Sequence, residues 1–298
     1  SEQVYDVLII GAGPAGLQAA VHAVRKKASV VVLGRPERSS IYSAHVENYA
    51  CIDGVQTGRD LLEAGHRQAK QFGTRIEPQD VLKISQDKTL FQLELEDGEE
   101  INSRTVIFAM GVSKKKLSVA GEKELIGMGV SYCVDCDANF YRGATVAVVG
   151  DRSAAVDGAL TLLGYASKVY LITKKLDVSP ELLKRLEQSD VQILNNNWVK
   201  NIDGENAVTG LQLENDETLK VDGVFIELGS KGALELATQI DVQLDTESFK
   251  YIDTNRKQET NIPGVYAAGD IAGPPWQMAK AVGEGCVAGM EAATYARK

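Results

Sequence analysis

Two stretches of the chain, one near residue 10 and the other near residue 150, are written on the same plan. The first runs Asp6-Val-Leu-Ile-Ile-Gly11-Ala-Gly13-Pro14-Ala15-Gly16, passes through a helical pattern and ends at Val30-Val-Val-Leu33. The second runs Thr145-Val-Ala-Val-Val-Gly150-Asp-Arg152-Ser-Ala-Ala155 and ends at Val169-Tyr-Leu-Ile172. One offset of 139 residues, from Gly11 to Gly150, also places Gly13 on Arg152, Gly16 on Ala155 and Val30 on Val169. Each stretch reads strand, tight turn, helix, strand, a βαβ unit that needs a parallel sheet around it. A chain carrying two such units is constrained to an α/β fold with two parallel sheets.

The units differ in their glycines. In the first, Gly-x-Gly-x-x-Gly follows a strand and opens a helix, which is the context that gives the pattern its meaning. Gly11 permits the turn, Gly13 lets backbone approach a pyrophosphate, and Gly16 lets helix and strand pack closely. The helix start, with Pro14 and Ala15, offers N–H groups and a positive dipole end to phosphates. Ala267-Ala-Gly269-Asp270 adds an aspartate at a strand end, suited to a ribityl hydroxyl of a flavin. The first unit is therefore expected to hold a dinucleotide, with Asp270 suited to a flavin. The acid that usually closes the second strand on a ribose is missing from Leu33-Gly34-Arg35-Pro36-Glu37, and Arg35 is read as the adenylate contact instead. In the second unit Arg152 stands where backbone must meet a pyrophosphate, which makes NADPH doubtful there.

Between the units lies Cys133-Val-Asp-Cys136, followed by Asp137. Two thiols spaced this way on a helical turn can close a disulfide, and the helix start favours the thiolate of the first. Asp135 works against that thiolate, while Asp137 suits an acid that protonates a departing one. A structural zinc needs about four ligands, and Cys51, Cys286 and three scattered histidines supply no second pair, so no metal is expected. Cys51 and Cys286 are read as buried small hydrophobes.

At 298 residues the chain can form two domains. The segment 262–298 more naturally completes the first unit than the second. The expected division is a discontinuous FAD-binding domain, 1–113 and 244–298, with an inserted domain over 114–243 that carries the dithiol. A net charge of −9 argues against nucleic acid or an anionic membrane surface as the main partner. No apolar run reaches the ~20 residues of a membrane span. Val7 to Ile10 reads as a strand and not as a signal-peptide core, so the cytosol is the expected address.

These motifs together resemble the low-molecular-weight thioredoxin reductase family over essentially the whole chain. The resemblance rests on Gly11-Ala-Gly-Pro-Ala-Gly16, Val46-Glu-Asn48, Ala109-Met-Gly111, Cys133-Val-Asp-Cys-Asp137, Phe140-Tyr141 and Gly264-Val-Tyr-Ala-Ala-Gly-Asp270. It implies two Rossmann-like, three-layer ββα nucleotide-binding domains, the second inserted in the first, and a homodimer. It implies FAD contacts at Gly11, Gly13, Pro14, Ala15, Gly16, Arg35, Asn48, Val81, Gly111, Gly269, Asp270, Met278 and Ala279. In its scheme Cys136 takes electrons from the flavin side, Cys133 attacks the disulfide of a thioredoxin-like protein, and Asp137 protonates the leaving thiolate. The inserted domain rotates between the two tasks.

Departures from the family pattern cluster at the second nucleotide site. Gly150-Asp-Arg-Ser-Ala-Ala155 replaces a glycine-rich loop, and Thr173-Lys174-Lys175 replaces a His-Arg-Arg that grips a 2′-phosphate. Glu37-Arg-Ser-Ser40 and Trp276-Gln-Met-Ala279 replace two further segments of the pattern. These changes point to a member that takes electrons from a one-electron donor such as ferredoxin. Arg25-Lys26-Lys27, Lys114-Lys115-Lys116 and Lys174-Lys175 are candidate docking charges for it. An ordinary NADPH-dependent reductase with altered contacts, and a flavin-dithiol redox sensor without turnover, remain the alternatives.

Overall fold

The computed structural model describes residues 3–112 and 115–298. The described residues divide into two compact units. One comprises those up to Leu95, those from Glu99 to Val112 and those from Gly232 onward; the other comprises Glu96–Gly98 and those from Lys115 to Lys231. Along the chain, the second unit thus interrupts the first.

The first unit is built on a five-stranded parallel sheet in the order Val265–Ala267, Val106–Phe108, Val7–Ile10, Val30–Leu33, Arg75–Glu77. Val7–Ile10 and Val30–Leu33 are buried along their whole length. That burial explains their unbroken apolar runs, because a parallel sheet is covered on both faces. Helices α1 (Pro14–Arg25) and α2 (Gly58–Gln71) belong to the core layer on one face. An antiparallel meander of Val81–Asp87, Leu90–Leu95 and Glu100–Ser103 supplies Ile84, Phe91, Leu93 and Ile101 to the core on the other. This is the three-layer arrangement. Arg75–Glu77 is not part of the meander and pairs in parallel with Val31–Leu33. It follows the crossover helix α2, and a strand returning from a crossover runs parallel.

The inserted unit repeats the plan with a parallel sheet in the order Val130–Ser131, Gly223–Ile226, Thr145–Val149, Lys168–Ile172, Gln192–Leu194. Helix α3 (Val134–Asp137) carries the dithiol, α4 (Ser153–Leu162) follows the second glycine turn, and α5 is Pro180–Glu187. An antiparallel trio, Val199–Gly204, Val208–Leu213 and Thr218–Leu219, forms its third layer. The offset of 139 holds in three dimensions: Val146–Val149 takes the central place in its sheet that Val7–Ile10 takes in the first.

The second crossing between units lies at Lys231–Gly232, twelve residues before the expected 243–244. Helix α6 (Ala233–Thr238) is the cause. Ala233, Leu236 and Ala237, with Ile240 and Val242 beyond it, bury into the core that holds Ile10, Phe108 and Ile271. Gln239 Oε1 also accepts from Ile84 N. The first expected crossing falls partly on residues 113 and 114, outside the described residues.

The C-terminal helix α7 (Met278–Tyr295) lies on α1 with two glycines at the contact. A Cβ on Gly285 would sit 2.2 Å from Ala15 O, and one on Gly289 would sit 2.2 Å from Ala19 O. Cys51 is exposed and Cys286 half-buried, against the expectation that both are core residues. Cys51 stands in a surface loop with φ of +72°, and loops of that kind run over the outside. Among the described residues no helix is long and apolar enough to cross a membrane.

Candidate active site

In a parallel sheet the carboxyl ends of neighbouring strands open on one edge, and ligands bind there. Four neighbouring strands of the first unit end in expected cofactor residues. Gly11 and Gly13 follow Val7–Ile10, Arg35 follows Val30–Leu33, Gly111 follows Val106–Phe108, and Gly269 and Asp270 follow Val265–Ala267. Contacts confirm that these loops converge. A Cβ on Gly11 would meet Ala109 O at 2.4 Å, and one on Gly16 would meet Gly11 O at 1.8 Å. Gly269 is so close to α1 that its Cβ would lie 3.1 Å from that of Ala15.

Helix α1 opens without a side-chain cap. Among the described residues nothing accepts from the N–H groups of Ala15 and Gly16. Unmatched helix-start donors beside a glycine turn fit a pyrophosphate.

Asp270 is placed by α7. Lys280 Nζ donates to Gly269 O at 2.9 Å and Gly273 O at 2.6 Å, and Glu284 Oε2 accepts from Gly269 N at 2.8 Å. The Asp270 carboxylate receives no hydrogen bond from any described residue. Burial raises its pKa, Lys280 opposes the rise and Glu284 adds to it. A half-buried acceptor without a partner, at the end of this strand, suits a cofactor hydroxyl.

Arg35 is held by a carboxylate. Its Nη1 lies 2.7 Å from Asp80 Oδ1, and Arg38 Nη1 reaches both oxygens of the same carboxylate at 2.6 and 2.7 Å. Asp80 thereby ties the turn after the second strand to the start of Val81–Asp87, placing Val81 beside that turn. Asn48 Nδ2 donates to Gln277 Oε1, immediately before Met278 and Ala279. Trp276 is an exposed aromatic beside them.

The second turn is filled by its own side chains. Asp151 Oδ1 accepts from Thr173 Oγ1 at 2.7 Å and from Lys174 N at 2.8 Å, while Asp151 O accepts from Asp177 N. Arg152 Nε lies 3.7 Å from Asp177 Oδ2. Ala154 N at the start of α4 already donates to Gly229 O, and Ala155 N donates to Arg152 O. A carboxylate bonded to the segment that follows the second strand repels a phosphate arriving there. The donors and acceptors of this turn are thus already paired within the chain. Lys174 is drawn aside to Glu214 and over the Trp198 ring, and Lys114 lies outside the described residues.

Cys133 and Cys136 are joined by a disulfide, with Cα atoms 5.3 Å apart. Cys133 caps α3, and Cys136 N points at Cys133 Sγ at 3.1 Å. That amide would stabilise a thiolate on Cys133 after reduction. Cys133 is nevertheless buried and Cys136 exposed in the oxidised form. Ser131 Oγ, absent from the sequence reading, donates to Asp137 Oδ2 at 2.6 Å and accepts from Cys133 N at 3.1 Å. One hydroxyl thus holds the acid and the first cysteine together. Val134 N donates to Glu227 Oε1 from the neighbouring strand, fixing the turn from beneath. Phe140 projects from the next turn with 80% exposure.

The pyridine nucleotide-disulphide oxidoreductase family matches residues 5–285 of the chain. A thioredoxin reductase of Bacillus subtilis is 34% identical, over 99% of this chain and 95% of the relative. Among solved structures, the atypical thioredoxin reductase TRi of Desulfovibrio vulgaris Hildenborough is 35% identical, with a TM-score of 0.84 over 98% of this chain and 97% of that one. A ferredoxin-flavin thioredoxin reductase of Clostridium acetobutylicum is 33% identical, with a TM-score of 0.69 over 99% and 98%. With the redox-active cysteine pair and the duplicated fold, these likenesses show that the chain belongs to the pyridine nucleotide-disulphide oxidoreductase family and, within it, is an enzyme of the low-molecular-weight thioredoxin reductase type.

Proposed function

We propose that the chain reduces disulfides of thioredoxin-like proteins through Cys133 and Cys136, with FAD in the first unit and a one-electron donor of the ferredoxin class in place of NADPH. The observation that carries the choice of donor is the Asp151 carboxylate folded onto Thr173 and Lys174. One of the solved likenesses, the ferredoxin-flavin enzyme, supports it.

In the first unit, the Ala15 and Gly16 amides would hold the pyrophosphate and Asp270 a ribityl hydroxyl. Arg35, Asn48, Val81, Gly111, Met278 and Ala279 would complete the pocket. When bound, the flavin supplies the exchange between single electrons and the electron pair that dithiol chemistry needs. In the reduced protein the Cys133 thiolate attacks one sulfur of the partner's disulfide, forming a mixed disulfide and releasing the other sulfur as a thiolate. Asp137, held by Ser131, protonates that leaving group. Cys136 then attacks Cys133 Sγ and displaces the partner's sulfur, so the Cys133–Cys136 bond re-forms and the partner leaves as a dithiol. The partner gains two electrons and two protons, and the cysteine pair loses the same.

An anaerobic titration of the oxidised holoenzyme, followed by flavin absorbance, tests the donor. Reduced ferredoxin or dithionite is expected to bleach the flavin, whereas NADPH and NADH at a hundredfold excess leave it oxidised; rapid bleaching by micromolar NADPH would overturn the reading. Docking is tested at Phe140, an exposed aromatic of the kind that anchors interfaces. Phe140→Ala is expected to raise KM for the thioredoxin-like substrate about tenfold, with flavin reduction unchanged in stopped flow. A homodimer completes the proposal, checked by light scattering on the holoenzyme.

A further inference from the structure

An ammonium is sealed beneath the dithiol turn. Lys231 is 3% exposed in its side chain, and its Nζ lies 2.7 Å from Asp135 Oδ2 and 2.8 Å from Asp157 Oδ2. Asp135 stands between the two cysteines, while Asp157 projects from α4 and is 1% exposed. Asp157 Oδ2 accepts no well-formed hydrogen bond, so this ammonium is its main compensation among the described residues. Burial lowers the pKa of Lys231, but Asp157 and then Asp135 outweigh it and hold the group above the ordinary lysine range, charged throughout the working pH range. A buried charge of this kind is retained only where its partners are fixed.

We infer that Lys231 is a positioning residue for the dithiol. Anchored by Asp157, it clamps Asp135 and so fixes the turn that carries Cys133 and Cys136, while countering the charge of the carboxylate that lies between the two cysteines in sequence. This inference rests on the dithiol exchange proposed above. It removes a difficulty in the sequence, because an uncompensated Asp135 disfavours the thiolate that attack requires. The charged and titratable groups around the turn are Asp135 and Asp137 on α3, Asp157 on α4, Glu227 at the end of its strand, Lys231 itself and Tyr141. Among these described residues Lys231 is the cation, and its removal takes away the positive charge that Asp135 and Asp157 share.

The test is the pH dependence of iodoacetamide alkylation of the reduced holoenzyme, resolved by peptide mass spectrometry at Cys133 and Cys136 so that Cys51 does not contribute. Lys231→Met is expected to raise the alkylation midpoint by about one pH unit, and Lys231→Arg to stay near the parent. Asp135→Asn is expected to lower the midpoint, and Lys231→Met with Asp135→Asn to return it towards the parent. Asp135→Asn keeps the Lys231–Asp157 pair, so it reports even where Lys231→Met fails to fold. A loss of thermal stability in Lys231→Met with an unmoved midpoint, or shifts of the same sign in Lys231→Met and Asp135→Asn, would overturn the inference. If the parent's dithiol is alkylated normally yet reduces no protein disulfide, the proposed function fails and the clamp stands.

Discussion

Cys133→Ser holoenzyme is expected to accept electrons into its flavin at the parent rate and to reduce no disulfide substrate. Turnover should fall by at least about 10³-fold, the scale on which loss of an essential nucleophile acts. Both cysteines are needed for a cycle that ends in their own disulfide, so Cys136→Ser should also stop turnover, but with a different trace. If Cys133 attacks, Cys136→Ser accumulates a mixed disulfide with the partner, because nothing remains to resolve it. Non-reducing electrophoresis separates the outcomes. The structure makes the comparison informative, since the amide of Cys136 favours a thiolate on Cys133 while accessibility in the oxidised form favours Cys136. A mixed disulfide appearing in Cys133→Ser instead would exchange the two roles. Sustained turnover in either variant would remove the dithiol from the mechanism.

The second large effect is expected at the first glycine turn, where two neighbouring substitutions should fail in different ways. Gly13 has φ of −85° and ψ of −170°, which any residue adopts, and its Cβ would meet nothing nearer than Ser39 Oγ at 3.2 Å. Gly13→Val should therefore fold with a near-parental melting temperature in the flavin-free form, while its side chain blocks the approach to Ala15 and Gly16. Losing two hydrogen bonds to charged oxygens, each worth about 1.5–3 kcal/mol, weakens FAD binding by on the order of 10²–10⁴-fold. The purified protein should be colourless. Gly16→Val places a carbon 1.8 Å from Gly11 O, where only backbone can yield. It should destabilise the unit by more than about 4 kcal/mol, read as insoluble or poorly folded protein by circular dichroism. A yellow, stable Gly13→Val would mean that the flavin pyrophosphate lies elsewhere.

Much of this was legible in the sequence because certain residues are dictated by one local geometry. Gly11 and Gly16 report close backbone contacts, the unbroken Val7–Ile10 and Val30–Leu33 report a sheet covered on both faces, and the cysteine spacing reports a turn. The missed features depend on contacts distant in sequence. Nothing near Asp151 announces that its carboxylate bonds Thr173 and Lys174, so Arg152 drew attention to the second turn when its neighbour does more to fill it. Arg35 looked free to meet an adenylate because Asp80, its partner, lies 45 residues away. Nothing in Gly229-Ser-Lys-Gly232 marks Lys231, whose buried partner Asp157 lies on α4. The division of the chain was misplaced by twelve residues because the short helix α6 has a strong apolar stripe but no periodicity that says which core receives it.

The close seating of α7 on α1 through Gly285 and Gly289 bears on the order in which the nascent chain acquires structure. The first unit lacks its outer parallel strand, Val265–Ala267, and the helix that covers α1 until the ribosome has passed Tyr295. The inserted unit has all five strands of its parallel sheet once Ile226 is made. Domains fold as they are completed during synthesis, so the dithiol unit is expected to mature first. Through most of translation α1 then waits, exposed and unfinished, for α7 to close over it.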